Sequence, residues 1–250
     1  KRDQLPNDNY RANATFKVFL KEVSEIARKG PQLFVSRANA GLVVYLFENE
    51  VPEIQESTVK IVAVSREANP PSRAVGPRTK VAVDSIEQEV DPVGACIGAR
   101  GARIQQVVNE LRGEKIDVIK WSSDPIQYIL NALSPAKVDL VRLVDPEGQH
   151  AHVLVPPDQL SLAIGREGQN VRLAARLTGW KIDVKNSHEY DQEAEDAAVS
   201  ELIIQREDEE KLQREAELRL EAEQAERAAE DARLRELYPL PEDDEEYGQE

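Results

Sequence analysis

Methionine is absent from the 250 residues, cysteine occurs once, histidine occurs three times, and aromatic residues make up only 5% of the chain. A single cysteine excludes a disulfide framework, and three histidines leave few ligands for a metal site. No uncharged run approaches the roughly 20 apolar residues of a membrane span, and no signal peptide opens the sequence. We therefore expect a cytoplasmic chain with no cofactor, metal or membrane contact. Because residue 1 is not methionine, we also expect it to be part of a longer protein.

Acidic residues dominate only one end of the chain. Residues 1–185 hold 25 lysines and arginines against 23 aspartates and glutamates, a net charge of +2. The remaining 65 residues hold 7 basic and 24 acidic residues, a net charge of −17. A region of balanced charge binds nucleic acid when its basic residues gather on one face. The charge pattern therefore excludes the acidic end, but not the rest, as a nucleic-acid-binding region.

A Gly-x-x-Gly motif occurs twice, first in Ile97-Gly98-Ala99-Arg100-Gly101 and again in Ile164-Gly165-Arg166-Glu167-Gly168. Equivalent residues are 67 positions apart, from the aspartates that precede the motifs (Asp91 and Asp158) to the last glycines. A single Gly-x-x-Gly is a weak signal, but two copies in register indicate a duplicated domain.

Each motif lies between two short segments with apolar residues at helical spacing, which predicts a helix, a tight turn and a second helix. Asp91 and Asp158 occupy the position of a helix N-cap, and Pro92 suits a first helical position. We expect the first N–H groups of each second helix to be unpaired and to point outward, where they attract a phosphate. Glycine permits the sharp bend and a close approach of a sugar-phosphate strand, and Arg100 and Arg166 add positive charge.

Other periodic segments complete the two copies. The first has a helix over 41–50 and strands over 59–66 and 79–84 before the motif, and a strand over 114–121 after it. The second has a helix from Asp124 and strands over 138–144 and 151–155 before the motif, and a strand over 180–185 after it. Both copies should therefore share one α+β fold.

Two segments outside the copies differ from them. The strands predicted over 15–23 and 31–37, joined by a loop with Arg28, Lys29 and Gly30, would be marginal alone, so we interpret them as the end of a small barrel. From Glu189 to Leu237 the abundance of Ala, Glu, Arg and Leu predicts a solvated helix, and the leucines keep no heptad. We expect residues 242–246 to be a disordered acidic end.

The repeated order helix-strand-strand-helix-GxxG-helix-strand resembles the prokaryotic type of the K-homology (KH) RNA-binding domain. More narrowly, Val90–Gly98, Val108–Asp117, Gln159–Gly165 and Asn170–Trp180 resemble the NusA family of bacterial transcription factors. The resemblance covers about Lys1 to Lys185. It implies the C-terminal part of an S1 (OB-fold) barrel over 1–37 and type II KH domains over 38–121 and 122–186 packed as one RNA-binding unit. The composition of the residues that follow predicts an acidic, helical to disordered tail over 187–250.

In that family a domain that contacts RNA polymerase precedes the barrel, and we expect it to be missing from this chain. Three features depart from the family pattern. The loop from Ala68 to Arg78 is longer than the usual turn, and Glu167 places a negative charge in the second motif. The tail does not resemble the acidic repeats that some members carry.

KH domains clamp about four nucleotides of single-stranded RNA with this turn. The resemblance implies that the turn amides, with Arg100 or Arg166, hold the RNA backbone while unpaired bases lie on an apolar groove. The predicted RNA-binding residues are Gly98, Ala99, Arg100, Gly101, Arg103, Gly165, Arg166, Glu167, Gly168, Asn170 and Arg172. The groove floor is predicted from Ile97, Ile104 and Ile116 and from Ile164, Val171 and Ile182, which are equally expected as core residues.

Other candidate sites have simpler interpretations. Cys96 corresponds to Ala163 in the second copy, so we interpret it as a small residue under the turn and not as a nucleophile. His150 and His152 share a strand face that could hold a metal, but we expect exposed side chains. No P-loop, Rossmann or paired-carboxylate pattern occurs, and we predict no enzyme.

The function implied is that of a transcription elongation factor that binds RNA polymerase and emerging single-stranded RNA. It would affect pausing, termination and antitermination, act with other antitermination factors and be monomeric. The alternative is an RNA-processing or ribosome-associated subunit built from KH and S1 modules, such as the tail of a polynucleotide phosphorylase. In that phosphorylase the KH domain comes before the S1 barrel, which is the opposite order.

Overall fold

The structure is a computed structural model that describes residues 2–24, 30–72 and 74–237. The described residues up to Asp191 form one compact unit, and the long helix that follows forms a second. The elements, in chain order, are β1 (Phe19–Ser24), β2 (Gln32–Ser36), α1 (Ala40–Glu50), α2 (Pro52–Gln55), β3 (Val59–Glu67), β4 (Arg78–Ser85), α3 (Pro92–Ile97), α4 (Ala102–Glu110), β5 (Lys115–Lys120), α5 (Pro125–Ala132), β6 (Leu140–Asp145), β7 (His150–Val155), α6 (Pro157–Ile164), α7 (Gln169–Thr178), β8 (Lys181–Asn186) and α8 (Gln192–Leu237).

Two three-stranded sheets in the compact unit have the same topology. In the first, β4 pairs antiparallel with β3 and parallel with β5. In the second, β7 pairs antiparallel with β6 and parallel with β8. Helices α1, α3 and α4 accompany the first sheet and α5, α6 and α7 the second, so the predicted order of a tandem KH fold is confirmed.

The two sheets share part of their core. Successive side chains of a strand point to opposite faces, yet β4 is buried on both. Its Val81 and Val83 belong to the apolar cluster around α1, whereas Ala82 between them belongs to the cluster of the second sheet, together with Ile119 of β5. The two KH domains are therefore packed against each other through a common apolar layer.

A buried carboxylate joins α7 to the first sheet. Glu67, at the end of β3, is 6% exposed and accepts hydrogen bonds from Arg172 Nε at 2.6 Å and Nη2 at 3.0 Å. It also accepts one from Arg176 Nη1 at 3.0 Å. The Arg172 guanidinium lowers the pKa of this carboxyl below its usual value, against the opposing effect of burial. We call Glu67, Arg172 and Arg176 the interdomain carboxylate cluster.

Before the first KH domain, β1 and β2 form a two-stranded antiparallel sheet. The described residues contain no closed barrel, and side chains such as Leu33, which is 65% exposed, face solvent. Arg28 and Lys29 of the predicted loop lie outside the described residues. Arg37 ties this segment to α4: its Nε donates to Asp8 at 2.8 Å and its Nη1 to Glu110 at 2.9 Å.

The compact unit continues past residue 186, where we expected the second KH domain to end. Tyr190 packs on the second sheet, and its hydroxyl accepts a hydrogen bond from Arg142 Nη1 at 3.0 Å. Helix α8 has exposed leucines, Leu212 at 70% and Leu218 at 66%, as the predicted solvated helix requires. The predicted acidic end over 242–246 lies outside the described residues. Within the described part of the chain, no helix is both long and apolar enough to cross a membrane.

Candidate nucleic-acid interface

The first Gly-x-x-Gly turn joins α3 to α4 through one turn of 3-10 helix, Ala99–Gly101. Asp91 caps α3 as predicted, because its side chain accepts a hydrogen bond from the Val93 amide and Pro92 takes the first helical position. Gly98 then leaves the helix with φ 74° and ψ 174°, a conformation open in practice only to glycine. The chain reverses there within three residues.

The second turn, Arg166–Gly168, repeats this geometry closely: the largest difference is in φ of the last glycine, 77° at Gly101 and 68° at Gly168. Gly165 has φ 75° and ψ 171°, and Glu167 is left-handed with φ 54°, as Arg100 is with φ 53°. A Cβ on Gly165 would lie 2.8 Å from the backbone nitrogen of Asn170. Two segments of different sequence therefore fold into the same corner because both place glycine at the same two positions.

The predicted cap of α6 was wrong. The helix begins at Pro157, its N-cap is Pro156, and Asp158 lies in its first turn. The fixed φ of proline suits the first helical position, so Pro157 starts the helix two residues earlier than a cap at Asp158 would allow. The Asp158 carboxylate instead accepts a hydrogen bond from Gln159 Nε2 at 2.8 Å.

The amides of the two turns are only partly available, which corrects the expectation that the first amides of each second helix are unpaired. Gly101 N–H donates to the Gly98 carbonyl at 3.1 Å, and Ala102 N–H donates to that of Ala99. The second turn forms the same bonds, from Gly168 N–H at 3.2 Å and from Gln169 N–H. The 3-10 turn therefore occupies the N–H group of its last glycine and that of the first residue of the following helix.

At the tip of each turn, the predicted side chains face solvent. Ala99, Arg100, Arg166 and Glu167 are all exposed. Arg166 is tied to the first KH domain, since its Nη1 donates to the Ala74 carbonyl at 3.1 Å. The second turn therefore lies beside the long β3–β4 loop of the first domain.

Behind the tips, the side chains predicted to bind RNA form hydrogen bonds to other groups of the protein. Arg103 Nη1 donates to Glu53 at 2.9 Å and to the Ala95 carbonyl at 2.6 Å. Asn170 is only 1% exposed, and its side-chain amide donates to the carbonyls of Leu133 and Ala163, each at 3.1 Å. Arg172 belongs to the interdomain carboxylate cluster, and its Nη1 also donates to the Glu167 carbonyl at 3.0 Å.

The predicted groove floor is partly open. Ile97 is 36% exposed, and Ile104 and Ile116 are half-buried beside it. In the second domain Ile164 and Val171 are half-buried, while Ile182 is only 8% exposed. Both sets of residues therefore leave some apolar surface exposed close to a turn, and the first set leaves more of it.

Cys96 lies fully buried under the first turn, as Ala163 does under the second. Burial raises the pKa of the Cys96 thiol to about 12, so it is not ionised at neutral pH. The predicted role as a small packing residue is confirmed.

The expectation that His150 and His152 are exposed was wrong. They are 8% and 3% exposed, and His150 Nε2 lies 2.7 Å from Asp183 Oδ2. Alternation along the strand predicted the shared face of the two histidines. Alternation alone could not predict that the face with the two histidines is buried, or that β8 places the Asp183 carboxylate beside it.

Two family models match the chain. The NusA-like first KH domain matches residues 37–121, and the NusA-like second KH domain matches residues 125–192. Together they span both sheets and both turns, in the order that the structure shows.

This chain belongs to the NusA family. A protein of Halalkalibacterium halodurans named transcription termination/antitermination protein NusA is 52% identical over 187 residues, 75% of this chain and 47% of that protein. The NusA of Bacillus subtilis is 51% identical over 184 residues, covering 74% of the chain and 47% of the relative. The NusA of Thermus thermophilus is 52% identical over 180 residues, covering 72% and 44%. The chain thus spans about half the length of these curated NusA proteins.

Proposed function

We propose that this NusA-family chain binds single-stranded RNA emerging during transcription through its two Gly-x-x-Gly turns, and so takes part in termination and antitermination. One observation carries the RNA-binding proposal. Two turns with the same backbone geometry lie 67 residues apart within one compact unit, each beside apolar surface. The names of the relatives support the transcriptional role over an RNA-processing or ribosome-associated one.

The proposed contact combines a backbone clamp with an apolar shelf. The exposed tip at Ala99 and Arg100 would hold a phosphate through main-chain N–H groups and the guanidinium. Bases would then lie over Ile97 and the residues beside it. Single-stranded RNA suits such a site because its bases are free to leave the stack.

The residues behind the tips have a different proposed role. Arg103, Asn170 and Arg172 all bond to protein groups, and Asn170 has almost no exposed surface. We therefore assign them to holding the turns in shape. The exposed arginines at the tips, Arg100 and Arg166, contact RNA with the turn backbones, and Arg166 also donates a hydrogen bond to the Ala74 carbonyl. Glu167 lowers the positive potential of the second turn, so the first should bind the backbone more strongly.

The proposed partners are nascent RNA, RNA polymerase and other antitermination factors, and the chain would act as a monomer in the cytoplasm. The role proposed is binding without catalysis, which agrees with the burial and high pKa of the Cys96 thiol.

Replacing the tip of the first turn tests this function. The double variant Ala99→Asp with Arg100→Asp puts repulsive charge at the proposed phosphate site, and both residues are exposed. We expect at least about tenfold weaker binding of single-stranded RNA at about 0.15 M salt, where charges more than roughly 8 Å away are screened, with an unchanged unfolding midpoint. For the parent, log affinity should fall with log salt at a slope of about −0.7 per phosphate contact.

A matched control carries the same change of charge elsewhere on the compact unit. Lys60 and Gln88 are both exposed, and Lys60→Asp with Gln88→Asp should leave RNA affinity within about twofold of the parent once salt screens distant charges. Equal losses in both double variants would show that net charge, and not the turn, determines binding.

A further inference from the structure

Three potential metal ligands meet on the second sheet. His150 and His152 are two positions apart on β7 and therefore share a face, whereas Ala151 and Val153 point into the apolar core. Asp183 lies on β8 and pairs with His152 in the parallel register. One ligand atom from each residue lies within 4.8 Å of the other two.

We propose that His150, His152 and Asp183 bind a single divalent transition-metal ion, with Zn²⁺ the best match. Two imidazoles and one carboxylate form a ligand set typical of zinc, and imidazole also suits cobalt, nickel and copper. Three protein ligands would leave one tetrahedral position for water or an external ligand.

The distances suit an ion after small side-chain rotations. Zinc bonds to nitrogen and oxygen ligands at roughly 2.0–2.2 Å, so two ligand atoms of a tetrahedral site lie about 3.3 Å apart. Asp183 Oδ2 lies 2.7 Å from His150 Nε2 and 4.0 Å from His152 Nε2, values on either side of that separation. Pairing between β7 and β8 holds the three Cα positions, so the adjustment falls on the side chains.

The surroundings favour binding in two ways. The imidazoles of His150 and His152 are 11% and 4% exposed, so they are held in place, while the Asp183 side chain is 41% exposed and gives an ion access from solvent. The Tyr190 hydroxyl lies 3.5 Å from His152 Nδ1, on the side of the ring away from the proposed metal. The outer nitrogen of a metal-bound histidine is commonly held in this way, which orients the ring.

A positive charge nearby sets a limit on affinity. Arg142 lies on β6, the other neighbour of β7, and is the residue directly opposite His152 in the strand register. Its guanidinium is directed onto Tyr190, with Cζ 5.9 Å from the ring centroid and Nη1 3.0 Å from the hydroxyl. Binding should therefore be weaker than that of a structural zinc site with four ligands.

Cobalt titration of the whole chain tests the proposal, because tetrahedral Co²⁺ absorbs visible light and octahedral Co²⁺ in water absorbs very little. We expect one equivalent of Co²⁺ to develop this absorption at neutral pH and one equivalent of Zn²⁺ to abolish it. Asp183→Asn, which keeps the size of a partly exposed side chain, and His150→Gln should each reduce the absorption at least tenfold. Far-ultraviolet circular dichroism verifies that both variants are folded.

The remaining histidine is a built-in control. His188 is exposed and lies outside the cluster, so His188→Gln should bind Co²⁺ like the parent. An adventitious histidine contact would lose Co²⁺ binding in this variant. The proposal is overturned by a parent chain with no tetrahedral absorption, or by absorption that survives in folded Asp183→Asn. In either case the three residues form only a hydrogen-bonded histidine–carboxylate group.

Discussion

Single glycines determine the shape of the proposed RNA clamp. Gly98 and Gly165 combine a positive φ with ψ near 180°, which residues with a Cβ avoid. They also have no room for a methyl group. The nearest atoms to an added Cβ belong to the Arg103 side chain at Gly98, whereas at Gly165 they include the Asn170 backbone, which has less freedom to shift.

Gly165→Ala should therefore cost more stability than an alanine at an unobstructed left-handed glycine. Gly113 is the comparison, since it has φ 87° and no atom within 4 Å of an added Cβ. We expect Gly113→Ala to lower the free energy of unfolding by about 1–2 kcal/mol. Gly165→Ala should lower it by about 2–4 kcal/mol, because a close contact adds to the backbone strain. Urea unfolding of both variants measures the difference, and equal losses would mean that the corner relaxes around the methyl group.

At the scale of helices and strands, local patterns predicted what lies close in sequence. The duplicated order of elements, the two turns and the cap at Asp91 follow from spacing and residue type. Contacts between distant elements did not follow from sequence, because residues more than 100 positions apart, such as Glu67 and Arg172, meet only after the two sheets pack. The Asp183 neighbour of His150 was missed for the same reason: a predicted strand does not reveal its register.

The interdomain carboxylate cluster makes a prediction about pH. Glu67→Gln removes the charge that Arg172 and Arg176 share, and we expect a loss of about 1–3 kcal/mol in the free energy of unfolding at neutral pH. The folded-state pKa of Glu67 lies below its usual value of 4.5. The ionised Glu67 carboxylate therefore stabilises the fold fully at pH values above 4.5. This stabilisation is lost as the pH falls through the folded-state pKa.

The gap between parent and Glu67→Gln should accordingly narrow as the pH drops well below 4.5. Glu87, which is exposed, supplies the control, and Glu87→Gln should stay close to the parent at every pH. If the difference in the free energy of unfolding between parent and Glu67→Gln does not change with pH, the effect of the substitution comes from packing and not from charge.

At the scale of the whole molecule, charge and fold divide at nearly the same point. The compact unit ends at Asp191, and residues 1–185 carry a net charge of +2 while the remaining 65 carry −17. The overall charge of −15 therefore describes the tail and says little about the part that contains the turns. Within that part the two KH domains share a core, so packing fixes the spacing between the two turns.

The most direct test of the account is amide hydrogen exchange of the whole chain with and without single-stranded RNA. RNA held by the turn backbones should slow exchange in peptides that contain residues 97–101 and 164–168, with the larger change in the first because Glu167 opposes a phosphate in the second. Peptides from α8 should be unchanged. If RNA binds and neither turn gains protection, the glycine corners are structural only and the chain recognises RNA with another surface.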